Sequence, residues 1–237
     1  MTHLRSCALL VAAVAGLGAG GCGLISSDVT DFNLDLPDKM FSVDSTGWQI
    51  DDGQAQQFLG TSCSAQPTVC MSAASAACNN CSGECNAGSQ KCDLRLDVSL
   101  HQAVNLLTEK PELQAINDKP VISVTVDSVT FEVTMNTLNV DTPQMNVMVA
   151  PVSVIDPSDP QAKLIGSVAP IPAGALTDGP RSLAFTPTGK ADLVATMSSF
   201  KVPFNLLIGA SLLVREGTPV PSGRLDATIH VKAHAGI

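Results

Sequence analysis

Six cysteines, Cys63, Cys70, Cys78, Cys81, Cys85 and Cys92, fall at spacings C-x6-C-x7-C-x2-C-x3-C-x6-C. They are the densest chemistry in the chain. The residues between them are mostly Ala, Ser, Asn and Gly, too few large apolar side chains to offset the entropy of ordering the segment by burial. Covalent or metal bonds must order it instead. Three disulfides are the default in an oxidising compartment, each contributing ~2–4 kcal/mol by restricting the unfolded chain. A metal or iron-sulfur site is the competing reading, carried by the trio Cys78, Cys81 and Cys85. That trio lacks the second C-x2-C pair and the nearby histidine usual for zinc, and the iron-sulfur patterns differ in order and number. Six cysteines admit fifteen pairings, and spacing alone does not choose among them.

A hydrolase would need an activated nucleophile with a base in reach, most often histidine. His101, His230 and His234 are the candidates in the body of the chain. His230 and His234 alternate with Asp226, Thr228 and Lys232 on one strand face, ~13 Å apart at ~3.3 Å per residue, too far to grip one metal together. A solvated strand edge is the expected setting for both, and a strand-to-helix junction for His101. The chain has no G-x-S-x-G elbow, no H-E-x-x-H and no phosphate-binding P-loop. Residues 16–21 match G-x-G-x-x-G, but they follow no strand and open no helix. The acids Asp51, Asp52, Asp156 and Asp159 sit in turn-like sequence without ligand spacing, where Asp bonds its own backbone. One Trp and no Tyr leave little for a sugar platform. The expectation is a non-enzymatic protein with no cofactor and no metal.

The hydrophobic fraction of 45% and charged fraction of 15% exclude a disordered chain. The net charge of −9 becomes −10 once Arg5 leaves with the first 21 residues. An acidic surface without basic clusters repels phosphate backbones, so nucleic acid is not an expected partner.

The opening MTHLRSCALLVAAVAGLGAGGC has a short basic start, an apolar run and then small residues, the layout of a secretory signal peptide. The segment Ala19-Gly20-Gly21-Cys22 resembles the lipobox of bacterial lipoproteins, with Ala19 where leucine is usual. The resemblance covers the leader and cleavage site only. It implies cleavage before Cys22, acylation of its thiol including palmitate, and an anchored protein. Gly23, where aspartate would signal retention, implies the outer membrane. Ordinary signal peptidase cleavage after Gly21 is the alternative, but it would leave an odd thiol at the N-terminus of an exported chain. Each buried methylene contributes ~0.8 kcal/mol, so several acyl chains anchor without protein insertion.

Stepping along the chain, residues 32–36 and 40–43 alternate as half-buried strands, and Leu94, Leu96, Val98 and Leu100 resume the alternation. The cysteine segment therefore reads as an insertion, residues 60–93, between two strands of one sheet. Residues 101–116 lose the two-residue period around Pro111, as short helices would. Ile122, Val124 and Val126 occupy one phase and Val129, Phe131 and Val133 the other, so a bulge or turn is expected near Asp127. Further strands are expected at 145–149, 152–155, 164–168 and 183–185. Leu193, Met197 and Phe200 form the stripe of one helix. The chain closes with strands 204–214 and 225–231 around a Gly- and Pro-rich turn, read as a hairpin.

The fold class expected is mainly β, an antiparallel β-sandwich or partly open barrel with one to three short helices and a disulfide-rich insertion. Residues 1–21 are the signal peptide, 22–30 the lipidated N-terminus and tether, and 31–237 one domain. Two functions fit: an envelope lipoprotein that meets a protein partner, or a carrier whose cavity, lined by Leu193, Met197 and Phe200, takes an apolar ligand. The same three residues serve a closed core equally well.

Overall fold

The computed structural model describes residues 31–79, 81–119 and 122–236; the leader, Cys22 and the tether 22–30 lie outside them. Strand β1 spans Asp31–Asn33 and β2 Lys39–Asp44, and a 3-10 turn, Ser45–Trp48, leads to helices α1 (Asp52–Leu59) and α2 (Val69–Ala77). Asp51 caps α1 by accepting the Gln54 N–H at 2.8 Å, and Ala55, Phe58 and Leu59 form its buried stripe. Strands β3 (Cys81–Cys85) and β4 (Cys92–Val104) follow, then a helical turn α3 (Leu106–Glu109) and a 3-10 segment, Pro111–Ile116. Next come β5 (Ser123–Asn136), β6 (Met145–Pro151), β7 (Lys163–Val168), β8 (Arg181–Ser182) and β9 (Ala184–Phe185). Helix α4 (Gly189–Ser198), β10 (Phe204–Val214) and β11 (Arg224–Gly236) complete the described chain.

These strands form two antiparallel sheets, as the mainly β expectation has it. In one, β1 and β2 lie along the same edge of β11, which is followed by β5 and β8. The other runs β3-β4-β10-β6-β7-β9. Their facing surfaces, with α4, enclose the main core, including Phe41, Val126, Phe131, Val147, Ile165, Leu206 and Ile229. The phase slip in β5 is a bulge: Val126 pairs with Ala233 and Ser128 with Lys232, leaving Asp127 without an opposite residue. One extra residue flips every later side chain to the other face, as the sequence pattern requires.

Four expectations are corrected. Residues 204–214 and 225–231 are not a hairpin. β10 pairs with β4 and β6 while β11 pairs with β1, β2 and β5, so the loop between them crosses from one sheet to the other. Alternation specifies which face is buried, and both arrangements bury the same face against one core. For the same reason the cysteine segment does not separate two strands of one sheet: β2 belongs to the first sheet and β4 to the second.

Residues 152–155 are a turn. Val154 folds back to join Met148, Ala150 and Leu207 in a small cluster on the outer side of the second sheet, and the Asn205 Nδ2 donates to the carbonyls of Val152 (3.0 Å) and Val154 (2.8 Å). Finally, β4 runs through Val104, so His101 lies inside a strand, opposite Leu207. The alternation fades there because position 102, on the inward face opposite Leu206, carries Gln, whose side chain is exposed and reaches the Met40 carbonyl.

Candidate functional site

One flank of the sandwich is closed by side chains alone. β3 covers β4 only as far as Leu96, so residues 97–104 form the open edge of the second sheet, and β2 is the neighbouring edge of the first. The two run antiparallel past each other. Lys39 Nζ donates to the Ala103 carbonyl at 3.4 Å, and Gln102 Nε2 donates to the Met40 carbonyl at 2.9 Å. At the far end Trp48 Nε1 donates to the Asp97 carbonyl at 3.4 Å. No main-chain ladder joins β2 to β4, which leaves this flank of the sandwich an unsealed seam. Capping edge carbonyls with side chains is a usual protection against strand-to-strand association.

Between these bridges lies a cleft of about 440 Å³. Phe41, buried, and Leu100, half-buried, form an apolar floor, while Ser42, His101, Arg224 and Asp226 form a polar rim. Arg224 Nε donates to Asp226 Oδ1 at 2.7 Å. That bond, helped by the Ser42 hydroxyl, holds the Asp226 carboxyl below the usual carboxylate range, and it raises the guanidinium in turn. Asp44, at the end of β2, is also lowered, first by the Thr46 hydroxyl and then by the Thr46 N–H, with a smaller contribution from Arg224. Asp226 is thus bonded to this guanidinium, while Asp44, beside the rim, acts on it only through charge. Lys39 itself turns under β2 to meet Glu109 at 2.7 Å, with side-chain exposures of 10% and 17%. The other Glu109 oxygen, Oε2, is buried without a hydrogen-bond partner.

The cysteine segment packs against the end of this seam as a lobe with its own core, in which Trp48, Phe58, Leu59 and Ala74 meet Leu94, Leu96 and Val214. All six cysteines pair. Cys63–Cys85 and Cys70–Cys92, each with a sequence separation of 22, interlock and staple α2 and the α1–α2 connection to the β3–β4 hairpin; Cys78–Cys81 closes the C-x2-C. Cys63, Cys70 and Cys92 are fully buried. Cys78 caps the C-terminal end of α2. The lobe's two helices were not anticipated. Their signal was present: alanine, the best helix former, fills α2, and Cys70, Ala74 and Ala77 recur at helical spacing on its buried side.

The histidines do not converge. β11 is flanked on both sides, so His230 and His234 lie on the outer face of an interior strand and not at an edge. His230 Nδ1 meets Asp38 Oδ1 at 2.6 Å, with Glu132 Oε2 3.8 Å from the opposite ring nitrogen. His234 Nδ1 meets Asp127, the bulged residue, at 3.0 Å. Each ring thus has its own carboxylate from a neighbouring segment. Among the described residues no group of three or more His, Cys, Asp or Glu side chains gathers as a metal-binding set.

Of the four acids expected in turns, Asp52 is instead the first residue of α1, while Asp51 caps that helix and the other two close turns. Asp156 Oδ1 accepts the Ser158 N–H at 2.8 Å and its hydroxyl at 2.9 Å, which lowers the carboxyl, and Asp159 Oδ1 accepts the Gln161 N–H at 2.8 Å. Leu193, Met197 and Phe200 are buried together in the main core. At the end of the sandwich between Trp48, Leu138 and Met145, the apolar space measures about 20 Å³, close to the room needed for one water.

No family model, curated protein or solved structure matches this chain. The three disulfides point to a compartment outside the reducing cytoplasm. Among the described residues, no helix is long and apolar enough to cross a membrane.

Proposed function

We propose that the protein is a non-enzymatic cell-envelope lipoprotein, anchored through acylated Cys22, whose acidic sandwich presents a disulfide-bonded lobe to a protein partner at the outer membrane. The observation that carries this reading is the lobe itself. Two interlocked disulfides and a separate small core hold residues 63–92 rigid at one end of a domain whose main core is complete without them. A pre-ordered surface loses little entropy on binding, which is what a docking element needs. His230 and His234, each held by its own carboxylate, and Asp51, Asp156 and Asp159, each spent on a cap or turn, supply no nucleophile and base pair to set against it.

The carrier reading draws on Leu193, Met197 and Phe200, but these fill the core between the sheets, so a ligand there would require the sandwich to open.

Intact mass of the mature protein tests the anchor and the oxidation state together. The expected mass lacks residues 1–21, carries acyl chains at Cys22, and gains six hydrogens on reduction, two for each disulfide. A mass with the initiator methionine present and no gain on reduction would overturn the proposal. Photocrosslinkers on residues 60–92 in intact envelopes test the docking role, and their failure to capture any protein would remove it.

A further inference from the structure

The seam between β2 and β4 offers main-chain groups as well as a cleft. Ser45 N–H donates to the Gly223 carbonyl at 3.0 Å, and in an antiparallel ladder the residues whose main chain faces the partner alternate. Phe41 and Val43 therefore turn their main chain to β11, and Met40 and Ser42 turn theirs to the seam. The Met40 carbonyl, bound there by Gln102, agrees with this phase. Across the seam, the Asp97 and Ala103 carbonyls receive Trp48 and Lys39, so the same alternation turns the main chain of Ser99 and His101 toward the cleft.

An added strand in this position would alternate its side chains between the Phe41 and Leu100 floor and the rim of Ser42 and Asp226, with Asp44 next along β2. The floor asks for apolar residues. Beside the Arg224–Asp226 pair on the rim, Asp44 adds a second carboxylate next along β2, on a chain of net charge −9, so this side favours cationic ones. We infer that the β2–β4 seam is a docking site for an extended peptide segment of alternating basic and apolar residues, which adds as a strand to β2 and takes the Met40 carbonyl from the Gln102 side chain. Strand addition draws affinity from the ladder and specificity from the alternate side chains. This site is separate from the disulfide lobe and stands whether or not Cys22 carries lipid.

The test uses the oxidised full-length domain labelled for amide NMR, titrated with acetyl-Lys-Val-Lys-Val-Lys-amide. Saturable shifts confined to residues 40–44 and 98–103 are expected. Replacing Lys by Glu in the peptide, or N-methylating its main chain, should weaken binding at least about tenfold. Ser42→Pro removes an amide that β11 does not use, and prolines are tolerated at such edge positions. It should weaken binding at least about tenfold relative to Ser42→Ala, which keeps that amide, and an unchanged spectrum elsewhere establishes that the variant is folded. Equal affinity for the Lys and Glu peptides, shifts mapping to another surface, or no saturation at millimolar peptide would each overturn the inference. So would shifts at residues 40–44 that follow protein concentration without peptide, which would assign the seam to a second copy of the chain.

Discussion

Gly83 lies directly beneath the carbonyl of Cys70: a β-carbon added there would stand 2.1 Å from that oxygen and 2.7 Å from the Phe58 ring. This contact lets β3 press against α2 so that Cys63–Cys85 and Cys70–Cys92 can close on either side. The obstacle is main chain, which cannot rotate away. Gly83→Ala is therefore expected to lower stability by about 1–3 kcal/mol, at the upper end of that range for overpacking. Urea unfolding of the oxidised variant checks it, and an unchanged midpoint would refute the contact.

The disulfides should differ in worth. In the chain-entropy model, the loops closed by Cys63–Cys85 and Cys70–Cys92, each with a separation of 22, contribute about 3.5 kcal/mol. The Cys78–Cys81 loop, with a separation of 3, contributes about 2 kcal/mol. Replacing Cys70 and Cys92 by Ala should consequently depress the thermal midpoint more than replacing Cys78 and Cys81 by Ser. The opposite order would show that the short loop holds more than entropy.

Lys39 and Glu109 form an ion pair that is largely withdrawn from water, with one Glu109 oxygen left without a partner. Lys39→Met strands the carboxylate and should cost about 3–5 kcal/mol. Adding Glu109→Leu removes the stranded charge, and the double variant should regain most of that loss. A double variant no better than the single would locate the damage in packing instead.

Stability should fall in acid along a defined limb. The carboxyls of Asp226, Asp44 and Asp156 are held low, by Arg224, by Thr46 and by Ser158 respectively. A depressed carboxyl contributes fully above the unfolded value of about 3.9 and loses its contribution as pH falls through the folded one. The urea midpoint is thus expected to decline below about pH 4, less steeply in high salt because Asp44 and Asp156 are exposed. Asp226→Asn should make that decline shallower. If its curve runs parallel to that of the unmodified protein, the Arg224 bond is not the cause.

Much of this was legible in the residues, and what was not has a physical reason. The two-residue alternation located the buried faces of β4, β5, β10 and β11, and even the bulge at Asp127, because each depends only on nearby sequence. Partner choice does not. Leu206 and Ile229 would alternate the same way in a hairpin as they do facing each other from opposite sheets. The cysteine cluster announced its disulfides by density, while the pairing of Cys63 with Cys85 depends on two helices that shape the lobe. The seam was invisible in sequence because Met40 and Gln102 stand 62 positions apart and neither belongs to a motif.

The order of strands in the first sheet bears on how the molecule is made. β11, the last described strand, lies between β1 and β2 on one side and β5 on the other. As a growing or translocating chain emerges, the lobe and its sulfurs arrive together and can oxidise locally, and β4, β6 and β10 can assemble before the final segment. The first sheet has no middle until residues 224–236 arrive. Its earliest strands must then wait, unpaired, for the latest one, a long-range closure of the slow kind. Loss of residues 224–236 would leave β1 and β2 with nothing to join them to β5.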